Sequence, residues 1–295
     1  NFMKLFLIIS FLIQILFSYS IFDHTNDFKT SSSSYAASFN NNQIYNFLNP
    51  ACNTTNMDHI YSIIGNKFNG MLENQQLYFS IHTPLLKNFY VGLLRTSIDD
   101  IYNTTNAWDD SNQNGSVELN EINYNMIRTF SHTNIGLLIS KPFNFRKLKL
   151  GLNTKFDILS LFDEKSFSHS FDFGIVQEFE KIKIGFVFKD LLNQTYWTTG
   201  YKDKINSKFI LGTNFDYKSL NTSLDVNILN GDYMFGLSYY YYESISFLLS
   251  KNSIEKINLG FIINYKKYNI GYCYIISQNM DLGYSQRFIF GISDL

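Results

Sequence analysis

The residues best spaced for chemistry lie between positions 110 and 121, in a stretch that reads DSNQNGSVELNE. This stretch matches the calcium-loop pattern D-x-[DN]-x-[DN]-G-x5-E at every specified position. Oxygen atoms at the first, third and fifth positions can surround a hard cation, the glycine permits the sharp turn, and the final glutamate can bind through both oxygens. The predicted calcium ligands are Asp110, Asn112, Asn114, Ser116, Glu118 and Glu121.

This predicted calcium site carries little negative charge, because asparagine occupies its third and fifth positions, Asn112 and Asn114. We therefore expect a dissociation constant only near ~10⁻³ M, the extracellular range. No flanking helices are evident in the sequence, so a bound Ca²⁺ would hold together a bare extracellular loop. The alternative is a polar loop in which the Asn, Asp and Gly residues only form turns. The sequence leaves both interpretations open.

No arrangement typical of a catalytic site occurs in the sequence. Neither G-x-S-x-G nor H-E-x-x-H is present. His169 between Ser168 and Ser170 suggests an acyl hydrolase, but strand alternation places His169 on the opposite face from both serines. We therefore predict no catalytic residue and no enzymatic activity. The scattered histidines are His24, His59, His82, His132 and His169.

The composition excludes some further classes of protein. The chain has 24 basic and 25 acidic residues without a long run of either sign, so we expect no nucleic-acid partner. Cys52 and Cys273 lie far apart and have no second pair, which excludes a zinc site or a disulfide scaffold. By strand alternation, Cys273 is expected to be a small apolar packing residue. The 29 Phe and 21 Tyr residues favour a membrane protein, because aromatic rings concentrate at membrane interfaces.

An export signal is predicted at the N-terminus. Lys4 is followed by an apolar stretch over residues 5–17, and Ser18 with Ser20 forms a small-x-small cleavage pattern. Residues 1–20 are therefore predicted to be a signal peptide, with Ile21 as the first mature residue. The alternative, a retained transmembrane helix, would need about 18 apolar residues, and the stretch is shorter than that.

Strands are the elements predicted to position the candidate residues. Apolar and polar residues alternate from position 147 onward, which is the periodicity of a strand. The apolar runs are about 10 residues long, the length that a tilted strand needs to cross a bilayer. Glycines, among them Gly151 and Gly174, fall on the polar face, where the backbone can approach other segments closely. Short turns alternate with longer loops, the largest being predicted at Ile98–Ser131 and Leu192–Lys204. This alternation is typical of outer-membrane barrels.

We therefore predict an all-β fold: a transmembrane antiparallel β-barrel of about 14 strands with a short N-terminal plug segment, in the bacterial outer membrane. The plug is predicted over residues 21–57 and the barrel over residues 58–295. The lumen is expected to be wet or plugged, with generic Lys, Asn, Asp and Ser side chains facing it. Predicted strand starts are Asp58, Gln76, Phe89, Thr133, Lys147, Phe167, Ile182, Lys208, Leu220, Tyr233, Ser244, Lys256, Tyr268 and Tyr284.

Several short motifs give the chain a family resemblance. They are the small-residue run 31–42, then Asn49-Pro50-Ala51, Asp172-Phe173-Gly174, Lys189-Asp190-Leu191-Leu192-Asn193 and Arg287-Phe288-Ile289-Phe290-Gly291. With these motifs the chain resembles the PorV/PorQ family of outer-membrane proteins, distant relatives of the FadL long-chain fatty acid transporters. In that family a small-residue stretch ending in Asn-Pro-Ala precedes the barrel. Here Asn49, Pro50 and Ala51 would form a turn in the plug, with a role in gating as the alternative.

The PorV resemblance implies a role in protein secretion, as a cargo-handling barrel that works with type IX secretion components. The FadL resemblance implies instead the passive uptake of a hydrophobic ligand past the plug. A third alternative is a soluble secreted β-protein. Expected partners of a barrel are outer-membrane lipid and the barrel assembly machinery, for which the alternating Phe288, Phe290 and Ile292 would serve as an assembly signal.

Overall fold

The computed structural model describes residues 20–22, 48–52, 59–81, 89–109, 111–116, 118–242, 244–253, 255–277, 281 and 283–293. The predicted signal peptide, apart from Ser20, and most of the predicted plug segment lie outside these described residues. Within the described part of the chain, no helix is both long and apolar enough to cross a membrane.

In the part of the chain that the structure describes, fifteen strands form one sheet. The strands are β1 (His59–Lys67), β2 (Leu72–Ile81), β3 (Phe89–Asn103), β4 (Arg128–Phe145), β5 (Leu148–Leu161), β6 (Glu164–Glu178), β7 (Ile182–Trp197), β8 (Lys202–Asp203), β9 (Lys208–Tyr217), β10 (Leu220–Asn227), β11 (Tyr233–Tyr241), β12 (Ile245–Asn252), β13 (Glu255–Tyr265), β14 (Tyr268–Ser277) and β15 (Tyr284–Ser293). Short 3-10 turns occur at Pro50–Cys52, Leu119–Glu121 and Tyr124–Met126.

The sheet closes on itself into an antiparallel barrel. Each barrel strand pairs with the next along the chain, and β1 pairs with β15 to close the wall. The two-residue strand β8 pairs with the end of β7 and belongs to the loop between β7 and β9. This leaves 14 strands in the wall. Closure leaves no backbone edge unpaired, as a bilayer requires. The predicted fold class is confirmed.

Alternate side chains point to lipid and to the lumen, as the sequence pattern predicted. On β15, Phe288 and Phe290 are 55% and 48% exposed on the outer surface, whereas the alternate residues Arg287 and Ile289 are buried in the lumen. The same alternation holds on β9, where Leu211 and Phe215 lie outside and Asn214 lies inside. The outer surface is therefore apolar over the length of the strands.

Three strand starts and both long loops were predicted wrongly. Strand β2 begins four residues before the predicted Gln76, β4 five residues before the predicted Thr133 and β6 three residues before the predicted Phe167, so the first long loop is 104–127. The starts of these strands carry polar residues on both faces, which hides the alternation. Strand β7 runs on through the predicted loop start, because Asp190 (φ 55°) and Leu192 (φ 51°) form bulges that shift the pattern without ending the strand.

Candidate functional site

The lumen has two chemically different sides. One side, which we call the apolar arc, is formed by β1–β4 and β12–β15, which are continuous because β1 pairs with β15. Its buried apolar side chains form one packed cluster together with two residues of the N-terminal segment. The wall members are Tyr61, Ile63, Tyr78, Tyr90, Leu94, Leu138, Leu248, Ile262, Cys273, Ile275 and Ile289. Buried polar side chains, among them Gln76, Asn134, Asn258 and Arg287, lie on the same strands. The expectation of generic polar side chains is therefore incomplete for this side, because an apolar cluster accompanies them.

The other side, which we call the polar arc, is formed by β5–β10 and matches the expectation. Its inward side chains are buried Asn, Asp, Lys, Ser and Thr residues, such as Asn214 and Asn221, which exchange hydrogen bonds across β9 and β10 at 2.9 and 2.8 Å. Its inward members include Asn153, Lys155, Asp157, Ser168, Ser170, Asp172, Lys189, Asp190, Asn193, Thr195, Asn214, Asn221, Ser223, Asp225 and Asn227. Burial of the charged members destabilises the folded barrel unless they are paired inside it.

A buried ionic cluster lies at the centre of the polar arc. The Lys155 ammonium lies 2.6 Å from Asp172 Oδ1 and 2.5 Å from Asp190 Oδ1. The backbone N–H of Asp190 also donates to Asp172 Oδ1 at 2.9 Å, which the bulge at Asp190 makes possible. Sequence analysis did not single out this cluster. Charged residues in the middle of membrane-length strands were the available signal.

The predicted plug motif lies inside the lumen, against the wall. Asn49 Oδ1 accepts a hydrogen bond from the Ala51 N–H at 3.0 Å, so the motif forms the expected turn. Gly151 and Gly174 pair directly across β5 and β6. A Cβ on Gly151 would overlap the Pro50 carbonyl, and one on Gly174 would overlap the Asn49 side chain. The two glycines therefore form a notch that receives the motif.

The residues flanking the motif fix the described plug segment 48–52 to further strands. Leu48 is fully buried and packs against Ile210 and Met234, while Ala51 and Cys52 pack against Val176. Burial raises the pKa of the Cys52 thiol, so Cys52 stays neutral and unreactive at neutral pH. The segment therefore lies across the polar arc.

The first residues after the predicted cleavage site also lie in the lumen. Ile21 and Phe22 are 1% and 2% exposed and belong to the apolar cluster. A Cβ on Gly136 would lie 3.0 Å from both side chains, so Gly136 makes room for them. The Phe22 ring also lies 5.3 Å from the Lys155 ammonium, which places these residues where the two arcs meet.

The predicted calcium loop is closed by its own hydrogen bonds. Glu121 accepts from Trp108 Nε1 at 3.2 Å, Ser111 Oγ at 3.2 Å and the Asn112 N–H at 3.4 Å. Glu118 Oε1 accepts from the side-chain amides of Asn112 at 3.3 Å and Asn114 at 2.9 Å. Calcium binding stays a prediction.

The remaining predicted ligands of this loop lie as follows. The side-chain oxygen of Asn114 accepts from the Ser116 N–H at 2.6 Å, which is a turn interaction. Asp110 lies outside the described residues. Among the residues that are described, no three His, Cys, Asp or Glu side chains converge as metal ligands.

The other residues considered for chemistry are structural. His169 faces outward and stacks on Tyr196 at 6.3 Å between ring centroids, while Ser168 and Ser170 are buried on the lumen side. The expected separation of His169 from the serines is confirmed. Cys273 is buried in the apolar arc as a small packing residue, as predicted.

Comparison with known proteins shows a likeness of fold alone. No known protein family matches the chain, and no curated protein sequence matches it. The crystal structure of the Pseudomonas putida toluene transporter TodX matches with a TM-score of 0.58 and 9% identity, over 95% of this chain and 98% of that one. The Ralstonia pickettii toluene transporter TbuX matches with a TM-score of 0.50 and 10% identity, over 90% of this chain and 96% of that one.

These likenesses show a shared barrel fold. The relation to the FadL transporters and the finer resemblance to the PorV/PorQ family stay predictions. A closed antiparallel barrel with an even number of strands and an apolar outer surface is the architecture of outer-membrane proteins. The predicted localisation in the bacterial outer membrane is confirmed.

Proposed function

We propose that the protein is a passive channel that lets small hydrophobic molecules cross the outer membrane. The observation that carries this proposal is the cluster of apolar side chains that the apolar arc holds inside the wall. The interior of a water-filled porin is polar. An apolar molecule that leaves water for such a surface gains about 25 cal/mol for each Å² of apolar area covered. The apolar arc therefore attracts hydrophobic solutes that a hydrated pore would not favour.

The position of the plug motif is consistent with a route along the apolar arc. The described plug residues Leu48 and Asn49-Pro50-Ala51 contact β5, β6, β9 and β11, and segment 50–52 also contacts β4. They therefore lie mainly against the polar arc, where water and ions would otherwise pass. We infer that the motif limits leakage of hydrophilic solutes while a hydrophobic solute moves past it on the opposite wall.

The two matched structures named above are toluene transporters. Toluene is a small apolar ring, and the aromatic members of the apolar arc, Tyr61, Tyr78 and Tyr90, offer ring faces on which such a molecule can pack. The likeness in fold and the apolar arc support the same proposal independently. The absence of catalytic chemistry stays a prediction for this chain.

Entry into vesicles with a lipopolysaccharide outer leaflet, which slows toluene itself, tests the proposal when the rate in protein-free vesicles is subtracted. We expect the purified protein to accelerate the entry of toluene more than the entry of a sugar of similar size. The variant Leu248→Asn/Ile262→Asn makes the apolar arc polar on β12 and β13, and we expect it to lower the toluene flux about tenfold, since each apolar contact contributes on the order of 1–2 kcal/mol. Ser246→Asn/Ser250→Asn, on the same face of β12, is the control.

Two outcomes of this experiment would contradict the proposal. The first is sugar entry as fast as toluene entry in the unchanged protein. The second is a toluene flux that Leu248→Asn/Ile262→Asn leaves unaltered although the variant barrel folds, as judged by its heat-dependent gel migration.

The role in protein secretion implied by the PorV resemblance stays a prediction, without a supporting contact among the described residues. Co-purification with type IX secretion components from detergent-solubilised membranes would test it. The barrel assembly machinery likewise remains an expected partner. The closed barrel with its apolar outer surface disfavours the alternative of a soluble secreted β-protein.

A further inference from the structure

The buried charges at the centre of the polar arc do not balance. Asp157, Asp172 and Asp190 face Lys155 and Lys189, and all five side chains belong to residues at most 8% exposed. Fully ionised, the group carries one more negative than positive charge. Burying an excess charge away from water is costly. The cluster would therefore be stabilised by one further cation.

One carboxylate oxygen of this group is available to such a cation. Asp190 Oδ2 is buried and has no hydrogen-bond partner among the described residues. Asp157 accepts a hydrogen bond from Ser168 Oγ at 3.2 Å through its Oδ2 and does not contact Lys155 at salt-bridge distance. Both carboxylates face the lumen.

The N-terminal residues Ile21 and Phe22 lie next to this group. Ile21 packs against Gly136, and Gly136 is the direct cross-strand partner of Asp157. Phe22 lies against Lys155, whose ammonium contacts Asp190. These contacts place Ile21 and Phe22 beside the wall positions that carry both carboxylates.

We propose that removal of the signal peptide before Ile21 creates an α-ammonium group that the buried carboxylates of Asp157 and Asp190 bind. Hydrolysis of the Ser20–Ile21 amide leaves a carboxylate on Ser20 and an amine on Ile21, which takes up a proton near neutral pH. The new positive charge balances the excess negative charge of the cluster. The charge pair fixes the mature N-terminus inside the lumen.

The burial of Ser20 explains how the new group is accommodated. Ser20 is 3% exposed, and its Oγ accepts a hydrogen bond from the Phe22 N–H at 3.2 Å. Cleavage removes Ser20. The Ile21 ammonium group and its hydrogen-bond partners then occupy the space that Ser20 filled. In the uncleaved chain this position is a neutral amide, so only processing supplies the charge that pairs with the carboxylates. The inference does not depend on the proposed channel function.

Chemical labelling of the mature N-terminus tests the proposal. Intact-mass measurement on protein purified from outer membranes should place the first residue at Ile21. A brief exposure of the folded protein to an acetylating reagent should modify the Ile21 amine at least tenfold more slowly than in the unfolded protein, because a charge-assisted hydrogen bond is on the order of 1.5–3 kcal/mol. Asp157→Asn should restore most of the lost rate.

The control variant is Asp225→Asn, which removes another buried lumen carboxylate on β10, far from Gly136 along the wall. It should leave the labelling rate unchanged. Asp157→Asn preserves the size of the side chain, so an amine protected by burial alone would stay equally slow in both variants. That result, or a mature N-terminus other than Ile21, would overturn the proposal. Neither result would bear on hydrocarbon flux.

Discussion

Gly151 and Gly174 lie opposite each other across β5 and β6, and the plug residues Asn49 and Pro50 fill the space that both leave. The Pro50 backbone lies against Gly151 and the Asn49 side chain lies against Gly174, at distances that no larger residue at either glycine would permit. The wall is therefore shaped locally to receive the plug motif.

Substitution of the first of these glycines should release the plug. We expect Gly151→Leu to displace Pro50, since overpacking costs about 1–3 kcal/mol, and to raise the flux of small hydrophilic solutes into liposomes several-fold. Leu152→Phe, which adds bulk to the neighbouring lipid-facing residue, should leave the flux unchanged. An unaltered flux through a folded Gly151→Leu barrel would show that segment 48–52 does not restrict the lumen.

Loss of the Lys155 charge should destabilise the barrel strongly. Lys155→Met leaves the carboxylates of Asp172 and Asp190 buried without their cation, and we expect a loss of about 3–5 kcal/mol in the free energy of unfolding. Urea titration followed by gel migration measures this loss.

The partly exposed ion pair of Lys183 with Asp216, at 3.0 Å, provides the matched control for Lys155. Lys183→Met should cost less than about 1 kcal/mol, because water screens such a pair. Equal losses in the two variants would contradict the assignment of the Lys155 cluster as a buried one.

High pH should weaken plug docking through Cys52. Burial raises the pKa of this thiol above its ordinary value of 9.0. A group whose pKa is raised in the docked state stabilises that state fully below its ordinary pKa, and the contribution is lost as the pH rises above it. We expect solute flux to increase above pH 9.0, and Cys52→Ala to lack this part of the increase. An identical dependence of solute flux on pH in the unchanged protein and in Cys52→Ala would contradict this prediction.

Calcium binding by the loop should be visible in the fluorescence of Trp108. The Trp108 indole donates to the Glu121 carboxylate, so a cation that binds Glu121 changes the electrostatic surroundings of the indole. In a Trp197→Phe background, we expect the emission to change with a midpoint near ~10⁻³ M Ca²⁺, and Glu121→Gln to abolish the change. A flat titration would favour a loop held only by its own hydrogen bonds.

The barrel could be predicted from the sequence because alternation is a local property. Strands β7, β9, β10, β11, β14 and β15 begin at the predicted residues. Each of these strands starts next to a turn or loop, and all of them except β7, whose bulges shift the pattern, keep clear alternation to their ends. The prediction of lumen-facing glycines was also correct for Gly151 and Gly174, where the plug backbone approaches the wall.

The apolar arc could not be predicted in the same way. Alternation shows which side chains share a face, but strand β1 is apolar on both faces, with Ile60 and Ile64 outside and Tyr61 and Ile63 inside. Only the closed wall shows which inward side chains meet across distant strands. The contact of Pro50 with Gly151 and the cluster around Lys155 are likewise formed by residues far apart in sequence.

Closure through β1 and β15 has a consequence for the order of assembly. The barrel interior becomes an enclosed space only when the last strand made joins the first, yet segment 48–52 is synthesised before any strand. Its main binding surface on β4, β5 and β6 is a continuous meander. Segment 48–52 can thus bind to the sheet before it closes. The remaining strands then close the barrel around the bound segment.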